Sequence, residues 1–404
     1  MRGDRMPSGT DPGLLRRINA VSIVRDLRRR GVMTLTALST STGLSRRTIA
    51  SVIETLRTDG WVAEVEVGSA LRGAGRPARS FRFVAEVYAL VGIQIAAHEV
   101  FAVVTDLNGS ILGKATQDVR STTSRKGRLS ATLAAINSAV SSAKFRRENI
   151  RLIAVGTPGI VDSNGYIGDC TALPEWSNFD LAAVLEAEYG CEVTVNNDTN
   201  LSAVGERWRG ISAGYDSTVW LLTGRRTSMG LIIGNELYRG HDGAAGEIGL
   251  QGGPWDKIRE HPLSFFGAAG RPAAASADAI IADALKGDTH ALELVDSLAS
   301  TIAQGLIGIV LSLNPACVVL GGALAEVGQL LIPAIESHIA PWCVRVPEVR
   351  ASSLGTEATA IGAVRVALDA IDEDFQNLWL VGNPSVEHAY STRMISAGTT
   401  PTHA

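Results

Sequence analysis

The chain has 404 residues, 46% hydrophobic and 19% charged, the composition of a globular protein long enough for two or three domains. No apolar run reaches ~18 residues and the opening MRGDRMPSGT lacks the apolar core of a signal peptide, so a soluble, cytoplasmic protein with no membrane partner is expected. The net charge of −4 is unevenly spread: residues 1–82 hold fifteen Arg, no Lys and seven Asp or Glu, leaving a head at +8 that suits a polyanion and a body at −12 that would repel one.

Residues 1–13 carry Gly, Pro, Ser and Asp and read as a loose arm. From Leu14 to Arg30, Leu15, Ile18, Val21, Val24 and Leu27 share one face and arginines the other, which predicts a first helix. Between Gly31 and Gly60 the helical spacing runs through Leu35 and Leu38, breaks at Gly43-Leu44, and resumes through Ile49, Val52, Ile53 and Leu56. Two short helices about a glycine turn are the layout of a helix-turn-helix. Ser45 stands at the N-cap of the second, so Ser45, Arg46, Arg47, Thr48 and Ser51 are the residues that helix would present to a major groove. Arginine can grip guanine bidentately, and a hydroxyl can serve a phosphate or a base edge. A plain helical pair with a solvated arginine face would carry the same pattern.

After Gly60 two short β-like runs flank a loop rich in Gly and Arg, the wing of a winged helix. Its Gly75-Arg76-Pro77 core resembles an AT-hook, in which extended backbone lets arginine enter a narrow minor groove. A flexible basic linker reads equally well from the same residues. In either case Arg72, Arg76 and Arg79 should add phosphate contacts and salt sensitivity.

From Tyr88 the texture changes. ALVGIQIAAHEVFAVVTDLNGSILGKA predicts two strands joined near His98 and a third after an Asp-Leu-Asn-Gly turn, followed by a helix over Leu129 to Val140. A buried strand then runs into Gly156-Thr157-Pro158-Gly159, a helix covers Leu181 to Tyr189, a strand ends in Asn197-Asp198, and a helix spans Leu201 to Arg207. Strands alternating with helices predict an α/β fold with ligands at the carboxyl ends of the strands. A second α/β unit follows: a strand over Thr218 to Leu222, a hairpin turning at Gly234-Asn235, and the Gly243-to-Gly249 segment. A long apolar helix over Leu294 to Leu313, a strand over Cys317 to Leu320, a Gly321-Gly322 turn and a closing helix over Gly355 to Ile371 complete it. The last residues lack apolar periodicity and are expected to be partly disordered. Cys170, Cys191, Cys317 and Cys343 form no CxxC pair and read as reduced core residues.

Five features in this order resemble the ROK family of repressors and sugar kinases over roughly residues 14–372: the winged helix ending in Gly75-Arg76-Pro77; Gly156 to Asp162; Asn196 to Asn200; Gly240 to Gly249; and Gly321-Gly322. The resemblance implies a winged helix-turn-helix (14–84) after the arm (1–13), two actin-like α/β lobes (85–200 and 201–372) with a sugar cleft between them, and a tail (373–404). It also implies that Pro158, Gly159, Asn197, Asp198 and Glu247 bind sugar hydroxyls, Asp198 matching the base of the family's kinases. Carboxylates and amides suit directed bonds to hydroxyls, and a glycine turn lets backbone approach a ring. Local capping by Asn197-Asp198 and Glu247 is the plainer reading of the same residues.

The departures from the family are as informative. Where its kinases carry an Asp-x-Gly phosphate loop this chain has Gln94-Ile95-Ala96-Ala97, and the second phosphate loop reads TGRRTSMG over 223–230. A neutral amide serves Mg-nucleotide poorly and an added methyl group keeps phosphate off the backbone, so no nucleotide cofactor is expected. The family's zinc site needs a histidine where Leu250 stands and cysteines that residues 251–270 lack, so no metal is expected and sugar recognition is itself altered. Arg225 and Arg226 could hold an anionic ligand such as a sugar phosphate, or form a solvated loop. These readings converge on a non-enzymatic ROK-like repressor, a homodimer or homotetramer on operator DNA, whose body senses a sugar or sugar phosphate. The alternatives are an active sugar kinase and a DNA-binding protein with a dead cleft.

Overall fold

The computed structural model describes residues 12–66, 79–120, 124–223, 226–250, 252–266 and 272–381. The chain forms two compact units, one ending at Val87 and taking up the chain again from Asp369, the other spanning Tyr88–Leu368.

The first unit opens with α1 (Pro12–Arg30), β1 (Met33–Thr34), α2 (Leu35–Thr42) and α3 (Arg46–Thr58). It continues with β2 (Val62–Val65) and β3 (Ser80–Phe83). Ala20, Ile23, Val24 and Leu27 of α1 close on Leu38 of α2 and on Ile49, Val52, Ile53 and Leu56 of α3, a three-helix core made by the spacing read from the sequence. The wing has one strand more than expected. β3 pairs antiparallel with β2 and also with the two-residue β1, giving the order β1-β3-β2. Two residues are too few for a periodic pattern; their pairing with Ser80 and Phe81 defines them.

In the second unit β4 (Ala89–Ile95), β5 (Glu99–Thr105), β6 (Ile111–Asp118), α4 (Arg125–Ser142), β7 (Ile150–Thr157), α5 (Leu181–Tyr189) and β8 (Glu192–Asn197) form the first lobe. α6 (Asp198–Arg209) leads to the second lobe: β9 (Thr218–Leu222), β10 (Ser228–Ile233), β11 (Glu236–Tyr238), α7 (Pro254–Glu260), α8 (Pro272–Leu285), α9 (Thr289–Leu313), β12 (Cys317–Gly321), α10 (Gly328–Ile339) and β13 (Glu348–Ala351). The sheet orders are β6-β5-β4-β7-β8 and β11-β10-β9-β12-β13. Each is an antiparallel three-strand meander extended by two parallel strands, so one topology is used twice and the expected pair of actin-like lobes is present.

α11 (Ala358–Val381) closes the chain. It continues past Ile371, where apolar periodicity suggested an end, so residues 373–381 are helical and not tail; Arg28 of α1 donates to Asp372 on it. Its first turns lie against small residues. A Cβ on Gly92 would overlap the Ala360 carbonyl, one on Gly205 the Ala358 carbonyl, and one on Gly362 the Leu201 carbonyl. Helix backbones this close require glycine at the crossing. α9 is the one described helix long and apolar enough to cross a membrane, yet Val295, Leu298, Ile302 and Leu306 are buried in the lobe core with α10 residues Leu331 and Ile335. Cys170, Cys191 and Cys317 are buried and Cys343 is partly exposed, all free.

Candidate DNA-binding face and ligand cleft

The start of α3 is fixed by local polar groups. α2 ends at Gly43 in the left-handed region (φ 74°), and the Ser39 hydroxyl donates to the Leu44 carbonyl at 2.6 Å, which sets the turn. Ser45 caps α3, its Oγ accepting from the Thr48 amide at 3.1 Å and lying 2.8 Å from the Thr48 hydroxyl. Ser45, Arg46, Arg47 and Ser51 are exposed and Thr48 is half-buried. The Ser45 and Thr48 hydroxyls are thus mutually engaged in the cap, whereas Arg46 and Arg47 make no ion pair or hydrogen bond among the described residues. They are the open cations of this helix.

Arg79 differs from expectation. Its Nε and Nη2 each donate to Glu64 at 2.7 Å across the wing strands, and its guanidinium lies 5.3 Å over the Phe81 ring. The fork meant for phosphate is occupied by a carboxylate of the same sheet. Arg72 and Arg76, with the Gly-Arg-Pro core, lie outside the described residues.

In the body, β7 delivers its chain end to Pro158 and Gly159, the latter at φ 116°. A Cβ at Gly159 would stand 2.9 Å from that of Cys170. β8 ends on Asn197, which is also the N-cap of α6. Its Oδ1 accepts from the Thr199 and Asn200 amides at 2.9 and 3.0 Å, while its Nδ2 donates to the Gly159 carbonyl at 3.0 Å and to Glu247 Oε1 at 3.4 Å. Capping and site roles therefore coincide in one side chain. Asp198 Oδ1 accepts from the Thr199 amide at 2.8 Å, and its Oδ2 lies 3.8 Å from Arg226 Nη1. Glu247 is brought in by the 240–249 segment, where Gly243 and Gly246 lie at positive φ with no room for a Cβ against the Val161 and Met229 carbonyls. Burial, then the charge of Asp198, pushes the Glu247 carboxyl above its ordinary value, with Arg226 opposing.

Pro158, Gly159, Asn197, Asp198 and Glu247 are thus gathered where the carboxyl ends of β7 and β8 face the second lobe, a set of acceptors and donors suited to hydroxyls. Leu250, in the place of the family's histidine, is 74% exposed. Gln94 Oε1 is buried with no hydrogen-bond partner among the described residues, and the Ala96 carbonyl accepts from Arg128. Sequence reading passed over two residues next to this region and took a third, Cys170, only as a core cysteine. Trp176 donates to the Thr157 hydroxyl at 2.9 Å, Cys170 lies behind Gly159, and Arg128 sits beside Trp176. The signal for Arg128 was its position in the stripe Arg128, Thr132, Ala135, Ile136, Ala139 that α4 buries.

The chain is 22% identical to the xylose repressor of Bacillus subtilis over 376 residues, covering 89% of the chain and 97% of the repressor. It is 27% identical to the glucokinase of Thermotoga maritima over 257 residues, 55% of the chain and 81% of the kinase. A solved ROK family transcriptional regulator, homologous to the Mlc protein of E. coli, superposes with TM-score 0.69 at 20% identity over 91% of the chain and 99% of its own. A Streptomyces griseus ROK glucokinase bound to glucose and AMPPNP superposes with TM-score 0.58 at 22% identity over 69% of the chain and 98% of its own. The ROK family model matches residues 90–251 and 263–370, most of the two-lobed body, and the chain belongs to the ROK family.

Proposed function

We propose that the chain is a transcriptional repressor that grips operator DNA through α3 and answers to a polyhydroxy ligand in its cleft. The observation that carries this is the pairing of an exposed, unpaired Arg46-Arg47 at the start of a recognition helix with a kinase-type body whose phosphate loops are altered. Phosphoryl transfer depends on positioning and charge stabilisation, and neither Gln94 nor the alanines after it provide these. The likeness to a xylose repressor over nearly its full length supports the reading, and a pentose or hexose is the corresponding ligand class.

Coupling has a covalent route. On α11, Thr359 Oγ1 lies 3.3 Å from the Asp198 carbonyl and 2.9 Å from the Ser202 hydroxyl, while Asp372 of the same helix accepts from Arg28 of α1. A ligand that binds one setting of α6 better than another would bias α11 by that difference in affinity and no more. A body that dimerises would fix the spacing of two heads on a near-palindromic operator.

A second reading, an active sugar kinase, is favoured by the glucokinase relatives and by Asp198 standing at the cleft. Footprinting on the DNA flanking the gene, with and without a sugar panel, tests the repressor, and an ATP-consumption assay over the same panel tests the kinase. Protection released by a sugar with no ATP turnover is expected. Turnover abolished by Asp198→Asn would overturn it.

A further inference from the structure

Among the described residues of α3 and the wing, Arg46 and Arg47 are the unpaired arginines. The others are held by carboxylates. Arg57, in the last turn of α3, pairs with Glu54 at 3.0 Å, Arg82 with Glu86 at 2.9 Å, and Arg79 with Glu64 at 2.7 Å. The first two pairs join residues three and four apart in the chain. The third joins residues fifteen apart, and it exists only because β2 and β3 pair in a register that sets Glu64 opposite Phe81.

This third pair is also the most completely formed. Nε and Nη2 of Arg79 each donate to a different oxygen of Glu64, both at 2.7 Å, and the guanidinium lies 5.3 Å over the Phe81 ring. Glu64 Oε2 stands 4.0 Å from Arg57 Nη1 as well, so one carboxylate lies between the end of α3 and the wing. Arg79 is 48% and Glu64 34% exposed, and an ion pair so open to water adds little to the stability of a fold. Its effect is felt where a competing anion approaches. A phosphate group asks for the same planar, two-pronged grip as a carboxylate, and one guanidinium fork cannot give it to both. A phosphate contact by Arg79 must first displace Glu64.

We infer that Glu64 is a positioning residue for DNA binding: it holds Arg79 away from phosphate, which weakens the sequence-independent grip of the wing and leaves Arg46 and Arg47 to carry more of the binding. The inference rests on the DNA-binding reading given above and deepens it. Each phosphate contact releases counterions from the duplex, so an arginine masked in this way lowers affinity for every sequence alike and flattens the dependence of binding on salt.

The test uses the full-length chain and a labelled duplex of arbitrary sequence, titrated by fluorescence anisotropy from about 50 to about 200 mM salt. Glu64→Gln keeps the shape of the side chain and removes its charge. It is expected to steepen the slope of log affinity against log salt by about 0.9, the value for one added phosphate, and to raise affinity near 0.1 M salt roughly three- to tenfold. Loss of a negative charge near DNA would by itself raise affinity, so the same substitution is also made in an Arg79→Gln background. There the steepening should disappear, because no masked guanidinium remains to be released. Should Glu64→Gln fail to fold, Glu64→Thr, equally neutral and a good strand former, takes its place. A slope unchanged by loss of Glu64, or a steepening that survives in the Arg79→Gln background, would overturn the inference while wild-type binding to the duplex left the DNA-binding reading standing. Absence of binding by both wild type and Glu64→Gln at the lowest salt would overturn that reading and the inference with it.

Discussion

Asn197 performs two tasks whose energies can be separated by substitution. Asn197→Ala removes the α6 cap, worth about 1 kcal/mol, and strips the Gly159 carbonyl of a donor at 3.0 Å, worth about 1–3 kcal/mol when the acceptor is left buried. The sum of about 2–4 kcal/mol corresponds to a fall in Tm of roughly 4–16 °C for a unit of this size. Asn197→Asp is the sharper probe. Aspartate caps a helix as well as asparagine, so the Thr199 and Asn200 amides stay satisfied, but a carboxylate now faces the Gly159 carbonyl and, at 3.4 Å, Glu247. Repulsion raises the folded-state pKa of the new aspartate above its unfolded value, so its relative stability is full at acid pH and is lost as pH rises through that raised value. Thermal unfolding followed by circular dichroism at pH 5 and pH 7.5 should show Asn197→Asp close to wild type at the lower pH and well below it at the higher. Asn197→Ala should be low at both. An Asn197→Asp protein as stable as wild type at pH 7.5 would refute the bridge and leave only the cap.

Three further outcomes follow from the same geometry. Arg46→Ala or Arg47→Ala should weaken operator binding by about 1–3 kcal/mol if the contact is to a base, or lower the salt slope by about one if it is to phosphate, while Arg79→Ala, whose fork Glu64 already holds, should change fluorescence anisotropy titrations less. Gly362→Ala drives a methyl group into the Leu201 carbonyl where α11 crosses α6, and should cost about 3 kcal/mol or more in denaturant unfolding. Glu247 has a folded-state pKa raised above 4.5, so its contribution is present below that value and lost as pH rises; Glu247→Gln should therefore gain stability over wild type progressively above pH 4.5, read as a widening difference in Tm.

The α3 helix and its Ser45 cap were legible because amphipathic spacing and capping chemistry are local. So were the meander strands, whose turns carry Asp-Leu-Asn-Gly and Gly-Asn. The second lobe's α7, α8 and α10 went unread. α8 is alanine-rich with no clear stripe, and α10 holds Pro333 in its interior, a residue that argues against a helix until α9 and β13 are seen to pack on it. β1 and β13 are short edge strands defined only by their partners. In the cleft, the five residues named from the family resemblance were brought together, but the neighbouring Arg128 and Trp176 were not found and Cys170 was read only as a core cysteine, because their meaning lies in contacts between α4, the 170–179 segment and the β7 turn. Arg79 was assigned to DNA from its charge and its place beside the Gly-Arg-Pro wing, and its cross-strand pairing with Glu64 became visible only once β2 and β3 were paired in register.

Whether α3 reads duplex DNA is decided by anisotropy titration of the full-length protein into labelled duplexes tiled across the DNA flanking its gene, with excess nonspecific competitor. One duplex should bind about 10³-fold or more tightly than the rest, and that preference should vanish in the Arg46→Ala/Arg47→Ala double variant. Equal binding to every tile, or a preference that survives loss of both arginines, would contradict the account.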